Sequence, residues 1–543
     1  MQVRAVEIEP YQDQAPGTSG LRKPVSTFKQ PWYVESFLQA VFDCIEVAEN
    51  RTLVIGGDGR YFSDQAIQAV IRSALANGFR HLVVGQGGLL STPAASHLIR
   101  RRGAAGGIVL SASHTPGGPD GDFGIKFNTS NGAPAPAGLA ERIAERARTL
   151  DRVLIADASE IDVTRLGTMR VGEATIEVVD PVADYAALME ILVDFDRIAG
   201  LFRSGFRMRY DAMHAVTGPY ARAILEERLG APSGTVVNGE PLPDFGGRHP
   251  DPNPANAAEL VAAMLAPGAP DFGAASDGDG DRNMVVAPGM VIGPSDSLAV
   301  LAANAHLAPG YAHGLAGVAR SMPTSRAVDR VAAAKGLDCY VTPTGWKFFA
   351  NLLDAGRITL CGEESAGTGS DHVREKDGLW AVLLWLDVLA ARRTPADRLV
   401  RRHWAEYGRD FYQRHDYEEI PTERGDELVE GLRGRLAELP GKRVGELEVE
   451  SASDFSYRDP VDGSVAERQG IEVAFSGGAR AVFRLSGTGT RGATLRVYLE
   501  RYEPDRARVD GDAGAALAPV AAAAAEIARI EAITGRTKPS GVA

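Results

Sequence analysis

The sequence predicts an α/β protein: three consecutive mixed, mostly parallel α/β domains with related βαβ architecture, followed by a C-terminal α+β domain. Three observations predict it. Short apolar strand-like runs alternate with helical patterns up to about Val400, the alternation comes in three similar sets, and beyond it the texture changes. Alternation of this kind calls for βαβ units and a parallel sheet.

The first set runs "TLVIGGD" (52–58), a helical stretch from Asp64 to Ala76, "HLVVGQ" (81–86), a further helical segment and "GGIVLSASH" (106–114). The second runs "RMRYDAMHAV" (207–216), helical "YARAILEERLG", "GTVVNG", helical "NAAELVAAML" and "FGAASDGDGD" (272–281). "HGLAGVARSM", "SRAVDRVAAAKG", "DCYVTPTG", "WKFFANLLDAG" and "ITLCGEES" (358–365) form the third. After Val400 come charged segments, the strands "GIEVAF", "RAVFRL" and "ATLRVYLERY", and a terminal alanine-rich helix. Linkers are expected at 178–182, 287–297 and 391–400, which places the domains at 1–180, 181–292, 293–398 and 399–543. Four domains suit 543 residues at roughly 100–200 residues each.

Lys+Arg 58 against Asp+Glu 71 leaves a net charge of −13, which disfavours a nucleic-acid surface and requires any anionic substrate to meet local positive charge. Cys44, Cys339 and Cys361 are too few and too scattered for a disulfide framework or a zinc cluster, which points to a reducing cytoplasm. "MQVRAVEIEPYQDQ" lacks the apolar stretch of a signal peptide. "GLWAVLLWLDVLAA" and "ALAPVAAAAAEIARI" each contain a charge and are too short or too alanine-rich to span a bilayer, so no membrane segment is expected.

Each set ends in a glycine-bearing loop just after a strand, where open α/β sheets bind ligands. In "LSASHTPGGPDGDFGIKFN" (110–128), Ser113 stands beside His114 at a glycine-rich turn, with Lys126 beyond it. In "SDGDGDRN" (276–283), Asp277, Asp279 and Asp281 alternate with glycines. In an extended loop that spacing turns three carboxylates toward one point, and hard oxygen ligands suit Mg²⁺ or Ca²⁺. An EF-hand is excluded, because its sixth and twelfth positions are Arg282 and Pro288 here. The bland alternative is a solvated acidic turn.

"RLSGTGTRGATLRVYLE" (484–500) has G-x-G-x-x-G spacing at Gly487, Gly489 and Gly492, but a strand-like run follows where a dinucleotide site needs a helix. What remains is a loop of N–H groups and hydroxyls (Ser486, Thr488, Thr490) flanked by Arg484 and Arg496, which suits a phosphate; the alternative is a tight hairpin with surface arginines. In "CGEES" (361–365), strand alternation sends Glu363 and Ser365 to one face, a pair for sugar hydroxyls. "DHVREKDG" adds Arg374 and Lys376, "TPTGWK" adds Thr344, Gly345 and Lys347, and "APGTSGLRKPV" sets Arg22 and Lys23 beside an anion-friendly loop.

Taken together, "YQDQAPGTSGLRKPV", "SASHTPGGPDGDFGIKFN", "DAMHAVTGPYARAIL", "PLPDFGGRHPDPN", "DGDGDRNM", "TPTGWKFF", "CGEESAGTGSDHVREKDGLWAVL" and "RLSGTGTRGATLR" closely resemble the α-D-phosphohexomutase superfamily, in order and over nearly the whole chain. The resemblance implies four domains arranged around a central cleft and interconversion of α-D-glucose 1-phosphate and glucose 6-phosphate. It makes Ser113 a phosphoserine and assigns Asp277, Asp279 and Asp281, with the phosphoserine oxygen, to Mg²⁺. Arg22, Arg282, Thr344, Gly345, Glu363, Ser365 and Lys376 fall at substrate-contacting positions. Arg484, Ser486, Gly487, Thr488 and Arg496 would hold the phosphate not undergoing transfer. Departures from the family pattern are Ser111 and Thr115 around the serine, Ala366 in the E-E-S loop and Arg491 in the phosphate loop.

Phosphoryl transfer needs in-line positioning and neutralised charge. The implied route passes from phospho-Ser113 to the sugar's free hydroxyl and back through glucose 1,6-bisphosphate, which also serves as activator, with Arg22 neutralising charge. Lys126 and His114 are the two candidates for general base; Lys126 is preferred, its pKa lowered by nearby cations or burial, with His114 as a positioning or acid group. Rival readings are a mutase for mannose or glucosamine phosphates and a catalytically silent adaptor. The expected partner is a phosphosugar, with no nucleic acid and no membrane, on a monomer or weak homo-oligomer.

Overall fold

The computed structural model describes residues 2–17, 19–45, 52–489 and 492–543, with 487–489 by backbone alone. The chain forms two compact units, Met1–Ala316 with Gly345–Asp397, and Gly317–Thr344 with Arg398–Ala543.

The first unit contains a seven-stranded sheet in the order Leu21–Pro24, Asp122–Thr129, Gly106–Leu110, Thr52–Gly57, His81–Leu89, Ala174–Val179, Gly167–Val171. Its centre is parallel: Thr52–Gly57 pairs in parallel with Gly106–Leu110 and His81–Leu89, and His81–Leu89 with Ala174–Val179, while the outer pairs are antiparallel. The central strand Thr52–Gly57 is buried along its whole length, as a strand covered on both faces must be. A Cβ on Gly57 would stand 2.1 Å from Leu110 O, so only glycine permits this pairing. Helices Tyr33–Cys44, Ser63–Ala76 and Thr92–Arg102 contribute apolar residues to the buried interior of this unit.

A second sheet of five strands runs Val236–Val237, Met208–Asp211, Phe272–Ser276, Asn283–Ala287, Met290–Ile292, parallel in its first three strands and antiparallel in the rest. The stretch 287–297, expected as a linker, is built into the fold. Val285–Ala287 pairs with Met290–Ile292 as a hairpin, and helix Pro294–Asn304 follows at once. Leu360–Gly362 and Thr368–Ser370 form a further antiparallel hairpin.

The apolar run "GLWAVLLWLDVLAA" is helix Gly378–Arg392, buried from Gly378 to Leu389. A helix apolar on all sides belongs in a core or a membrane. Here Asp387 within it accepts from Arg197 Nε at 2.7 Å and Asp194 N at 3.1 Å, and Trp385 Nε1 donates to Ser297 Oγ at 2.8 Å. Among the described residues no helix is long and apolar enough to cross a membrane.

The second unit pairs Val318–Ser321 in parallel with Cys339–Thr342 and adds a seven-stranded antiparallel sheet. Its order is Arg443–Val444, Leu447–Asp454, Ile471–Phe475, Ala479–Gly489, Gly492–Glu503, Arg409–Ile420, Gly541–Val542. The alanine-rich helix Ala513–Ala528 packs Leu517, Val520, Ala523, Ala524 and Ile527 into the core beneath this sheet. Residues 317–344 are fastened to it by ions: Arg480 donates to Met322 O at 3.0 Å and Thr324 O at 2.9 Å, and Arg330 forks onto Asp410 at 2.8 Å while lying 3.3 Å over the Tyr502 ring.

Gly57 and Gly200 give opposite tests of this packing. Gly200 lies inside helix Phe195–Arg203, where an added Cβ meets only Arg203 Nη2 at 3.6 Å. Gly200→Ala should stabilise the protein by about 0.5–1 kcal/mol, and Gly57→Ala should destabilise it by more than about 2 kcal/mol. Denaturant titration of both variants checks the signs.

Candidate active site

Four loops from the first unit converge. Strand Gly106–Leu110 ends in the turn that carries Ser113, which is 1% exposed and held at φ 56°, a left-handed conformation that costs a non-glycine residue about 1 kcal/mol or more. A buried network imposes it. Arg60 Nε donates to both Asp58 oxygens, at 3.1 and 2.9 Å, and its Nη2 donates to Ser113 O at 2.6 Å; Ser111 Oγ donates to Asp58 at 2.6 Å and accepts from Ser113 N at 2.7 Å. Ser113 Oγ then donates to Asp277 Oδ2 at 3.0 Å, and His114 Nδ1 lies 3.4 Å from Ser113 Oγ.

Strand Phe272–Ser276 delivers Asp277, Asp279 and Asp281, all at most 1% exposed, with carboxylate oxygens within 4.8 Å of one another. Burial and the two neighbouring carboxylates raise the Asp277 pKa far above the usual range. Burial works the same way on Asp279, but Lys126 and the Thr92 hydroxyl outweigh it and hold the pKa of that carboxyl low. Lys126 Nζ pairs with Asp279 and stands 3.7 Å from Asp281, Lys376 Nζ is 3.0 Å from Asp281, and Arg282 N donates to Asp277 Oδ1 at 3.0 Å. Among the described residues, Asp279 Oδ1 and Asp281 Oδ1 are buried without a hydrogen-bond partner. Three hard oxygen donors at this spacing, two with orphaned oxygens, fit a divalent cation such as Mg²⁺.

Cationic groups border the cluster. Arg22, on strand Leu21–Pro24, has no hydrogen-bond or ion-pair partner among the described residues. Arg282 Nη1 is 3.6 Å from Asp251 Oδ1, and its Nε is 3.9 Å from Asp281 Oδ1, beyond hydrogen-bond reach. Burial, then Arg282, Arg22, His249 and Lys376, push the His114 pKa well below the ordinary histidine value, so the ring is neutral at pH 7. Lys126 is shifted the other way. Burial lowers its pKa, yet Asp279 and Asp281 more than reverse this and hold it protonated, the opposite of the state a base needs. A cation on those carboxylates would relax that hold.

Glu363 accepts from Gly345 N at 2.8 Å and is 5% exposed. The strand preceding it ends at Gly362, so Glu363 and Ser365 stand in the hairpin turn and strand alternation does not orient them. Ala366 takes φ 70° there, and its carbonyl accepts from Asn283 N at 3.0 Å, tying the turn to the metal-loop strand. Thr344 belongs to the second unit, and its hydroxyl is buried with no hydrogen-bond partner among the described residues.

The second unit carries the arginine hairpin. Arg484 and Arg496 are direct cross-strand partners; Arg484 Nε donates to Gln469 O at 3.2 Å, Arg496 Nε is 3.8 Å from Asp416, and Ser486 Oγ lies 3.4 Å from Thr494 O. Gly487 is described by its backbone in the strand ending at Gly489; the Thr488 side chain and residues Thr490 and Arg491 lie outside the described residues.

Sequence reasoning missed Asp58, Arg60, Thr92 and Glu375. Glu375, 3% exposed, accepts from Asn128 Nδ2 at 2.8 Å, and Thr92 Oγ1 donates to Asp279 Oδ2 at 2.5 Å. The signal for Thr92 was its place at the start of the helix after "GLLS"; nothing local marks the other three.

Comparison with known proteins now bears on the arrangement. Models of phosphoglucomutase/phosphomannomutase alpha/beta/alpha domains I, II and III match residues 13–153, 184–289 and 294–407, and that of the phosphoglucomutase-1 C-terminal domain matches 409–540. The phosphoglucomutase of Rhizobium radiobacter is 59% identical over 538 residues, and phosphoglucomutase-1 of Homo sapiens 47% over 559, each alignment covering 99% of both chains. The open-form crystal structure of the exocytosis-sensitive phosphoprotein pp63/parafusin (a phosphoglucomutase) from Paramecium matches with a TM-score of 0.93 at 44% identity, covering 100% of this chain and 99% of that one. The chain belongs to the phosphoglucomutase/phosphomannomutase family of the α-D-phosphohexomutase superfamily. It is an isomerase, and as in the family's phosphoglucomutases its reaction is the interconversion of α-D-glucose 1-phosphate and glucose 6-phosphate.

Glu375 yields a pH test. Burial raises its carboxyl to about 7 against the pull of Lys126 and Lys376. The folded chain therefore keeps a proton that the unfolded chain has lost, and stability falls as pH rises from the ordinary glutamate value toward 7. Glu375→Gln removes that loss, so its melting temperature relative to the parent should rise between pH 5 and pH 8; an unchanged difference would refute the assignment.

Proposed function

We propose that the isomerisation proceeds by phosphoryl transfer through phospho-Ser113 and a glucose 1,6-bisphosphate intermediate. The observation that carries this reading is the contact of Ser113 Oγ with Asp277 at 3.0 Å, inside a cluster with two orphaned carboxylate oxygens. Asp277, Asp279 and Asp281, with a phosphoserine oxygen, would hold Mg²⁺. When bound, the ion supplies Lewis-acid polarisation of the phosphoryl group and neutralises its developing charge.

The chain's own residues do the rest. The Arg60–Asp58–Ser111 network aims Ser113 Oγ, so the phosphoryl group is presented in one direction. Arg22, Arg282 and Lys376 surround the transfer position with fixed positive charge. A sugar hydroxyl oxygen attacks phosphorus, the Ser113 Oγ–P bond breaks, and the hydroxyl proton passes to a base; Lys126 and His114 are the candidates, and His114 is the one already neutral. The bisphosphate then returns its other phosphoryl group to Ser113. Glu363, braced on Gly345 N, and Ser365 take sugar hydroxyls, and Thr344 and Gly345 are further substrate-contacting positions. Arg484, Ser486, Gly487, Thr488 and Arg496 hold the phosphate that is not transferred; the paired arginines of the hairpin support this.

The net charge of −13 supports a small anionic substrate met by local arginines, with no nucleic-acid partner. A cytoplasmic monomer or weak homo-oligomer, organised as domains 1–180, 181–292, 293–398 and 399–543, completes the reading.

Intact-mass analysis after treatment with glucose 1,6-bisphosphate should show one added phosphoryl group on the parent and none on Ser113→Ala. Chelation should abolish isomerisation, and Mg²⁺ should restore it. Phosphate retained by Ser113→Ala would overturn the mechanism.

A further inference from the structure

We infer that Thr92 is a positioning residue for the divalent-cation site, selecting which oxygen of Asp279 faces the ion. The inference rests on the reading of Asp277, Asp279 and Asp281 as metal ligands. Thr92 is fully buried at the first turn of helix Thr92–Arg102, 187 residues away in sequence from its partner in the acidic loop. Its hydroxyl donates to Asp279 Oδ2 at 2.5 Å and accepts from Lys126 Nζ at 3.2 Å, and its N–H donates to Asp279 O at 2.9 Å. The residue therefore grips the aspartate at backbone and side chain together.

The distribution of partners over the three carboxylates gives this grip its meaning. Thr92 and Lys126 both bind Asp279 Oδ2, and Lys126 and Lys376 both face Asp281 Oδ2. On each residue Oδ1 is left buried without a hydrogen-bond partner among the described residues, with Arg282 Nε 3.9 Å from that of Asp281. Pinning one oxygen orients the other, as outer-shell partners of metal-bound carboxylates do. Thr92 also spends one Lys126 hydrogen on its own oxygen. Without the hydroxyl, the ammonium is free to fork across both oxygens of Asp279 and compete with a cation for Oδ1.

The test is direct metal binding, read by Mn²⁺ electron paramagnetic resonance and calorimetry on dephosphorylated full-length protein, without turnover. Thr92→Val keeps the shape and removes the hydroxyl; it should weaken Mn²⁺ binding by about 10- to 100-fold, while Thr92→Ser should bind nearly as the parent does. If Thr92→Val does not fold, Thr92→Ala, which places no methyl against Asp279, carries the same expectation. Ser91→Ala removes the cap that accepts from Ala94 N at 3.3 Å and loosens the same helix turn without touching Asp279, so it should leave Mn²⁺ affinity unchanged. Parent-like binding by Thr92→Val, weak binding by Thr92→Ser, or an equal loss in Ser91→Ala overturns the inference. No Mn²⁺ binding by the parent, or binding unaffected by Asp277→Asn, instead overturns the metal reading beneath it.

Discussion

Three carboxylates buried within 4.8 Å of one another are the constraint to which the first unit is built. Like charges out of water repel strongly and cannot all ionise without compensation. Compensation arrives from four directions: Lys126 from the first sheet, Thr92 from a helix beside it, Lys376 from the segment before the buried helix, and Arg282 from the loop itself. It is incomplete by design. Every carboxylate is pinned, but two oxygens are left open, which is a poor arrangement for stability alone and a good one for receiving a cation.

The segment 374–378 gathers these contributions into one place. Arg374 N donates to Ser96 Oγ, Glu375 accepts from Asn128, Asp377 N donates to Thr368 O, and Gly378 N donates to Gly280 O. Asp377 also caps the buried helix at Trp380 N and accepts from Tyr185 Oη at 2.6 Å, while His372 Nε2 lies 3.0 Å from its other oxygen. A Cβ on Gly378 would stand 2.1 Å from Arg282 O, so the approach needs glycine. Buried hydrogen-bond networks of this kind rigidify what they join, and here Lys376 stands 3.0 Å from Asp281. A rigid frame suits a reaction in which the protein contributes positioning and charge and little covalent chemistry.

The proton inventory follows from the same crowding. Lys126 and His114 are shifted in opposite directions, the lysine by its carboxylates and the histidine by burial among cations. Two titratable groups driven apart in this way offer one acid and one base at a single pH. The second unit is built by other means. Its ions, Arg480 with Glu500 and Arg330 with Asp410, are paired within the body of the unit, whereas Arg484 and Arg496 stand opposite each other on the hairpin with weaker partners.

Much was legible in the sequence because it was local. The repeated strand-helix alternation foretold the parallel-centred sheets, and Ser113, the Asp277–Asp281 spacing and the arginine hairpin are short-range patterns whose chemistry depends on neighbours a few residues away. Where a local rule was stretched past an element's end, it failed: alternation at Glu363 and Ser365 presumed a strand that stops at Gly362. Tertiary structure alone decided the direction in which the Lys126 pKa moves and the contacts of Asp58, Arg60, Thr92 and Glu375. Their partners lie 53 residues off for Arg60 at Ser113, 187 for Thr92 and 247 for Glu375. Pairwise electrostatics and hydrogen bonds fall off over a few ångströms, so distance along the chain carries no information about them until folding brings the partners together.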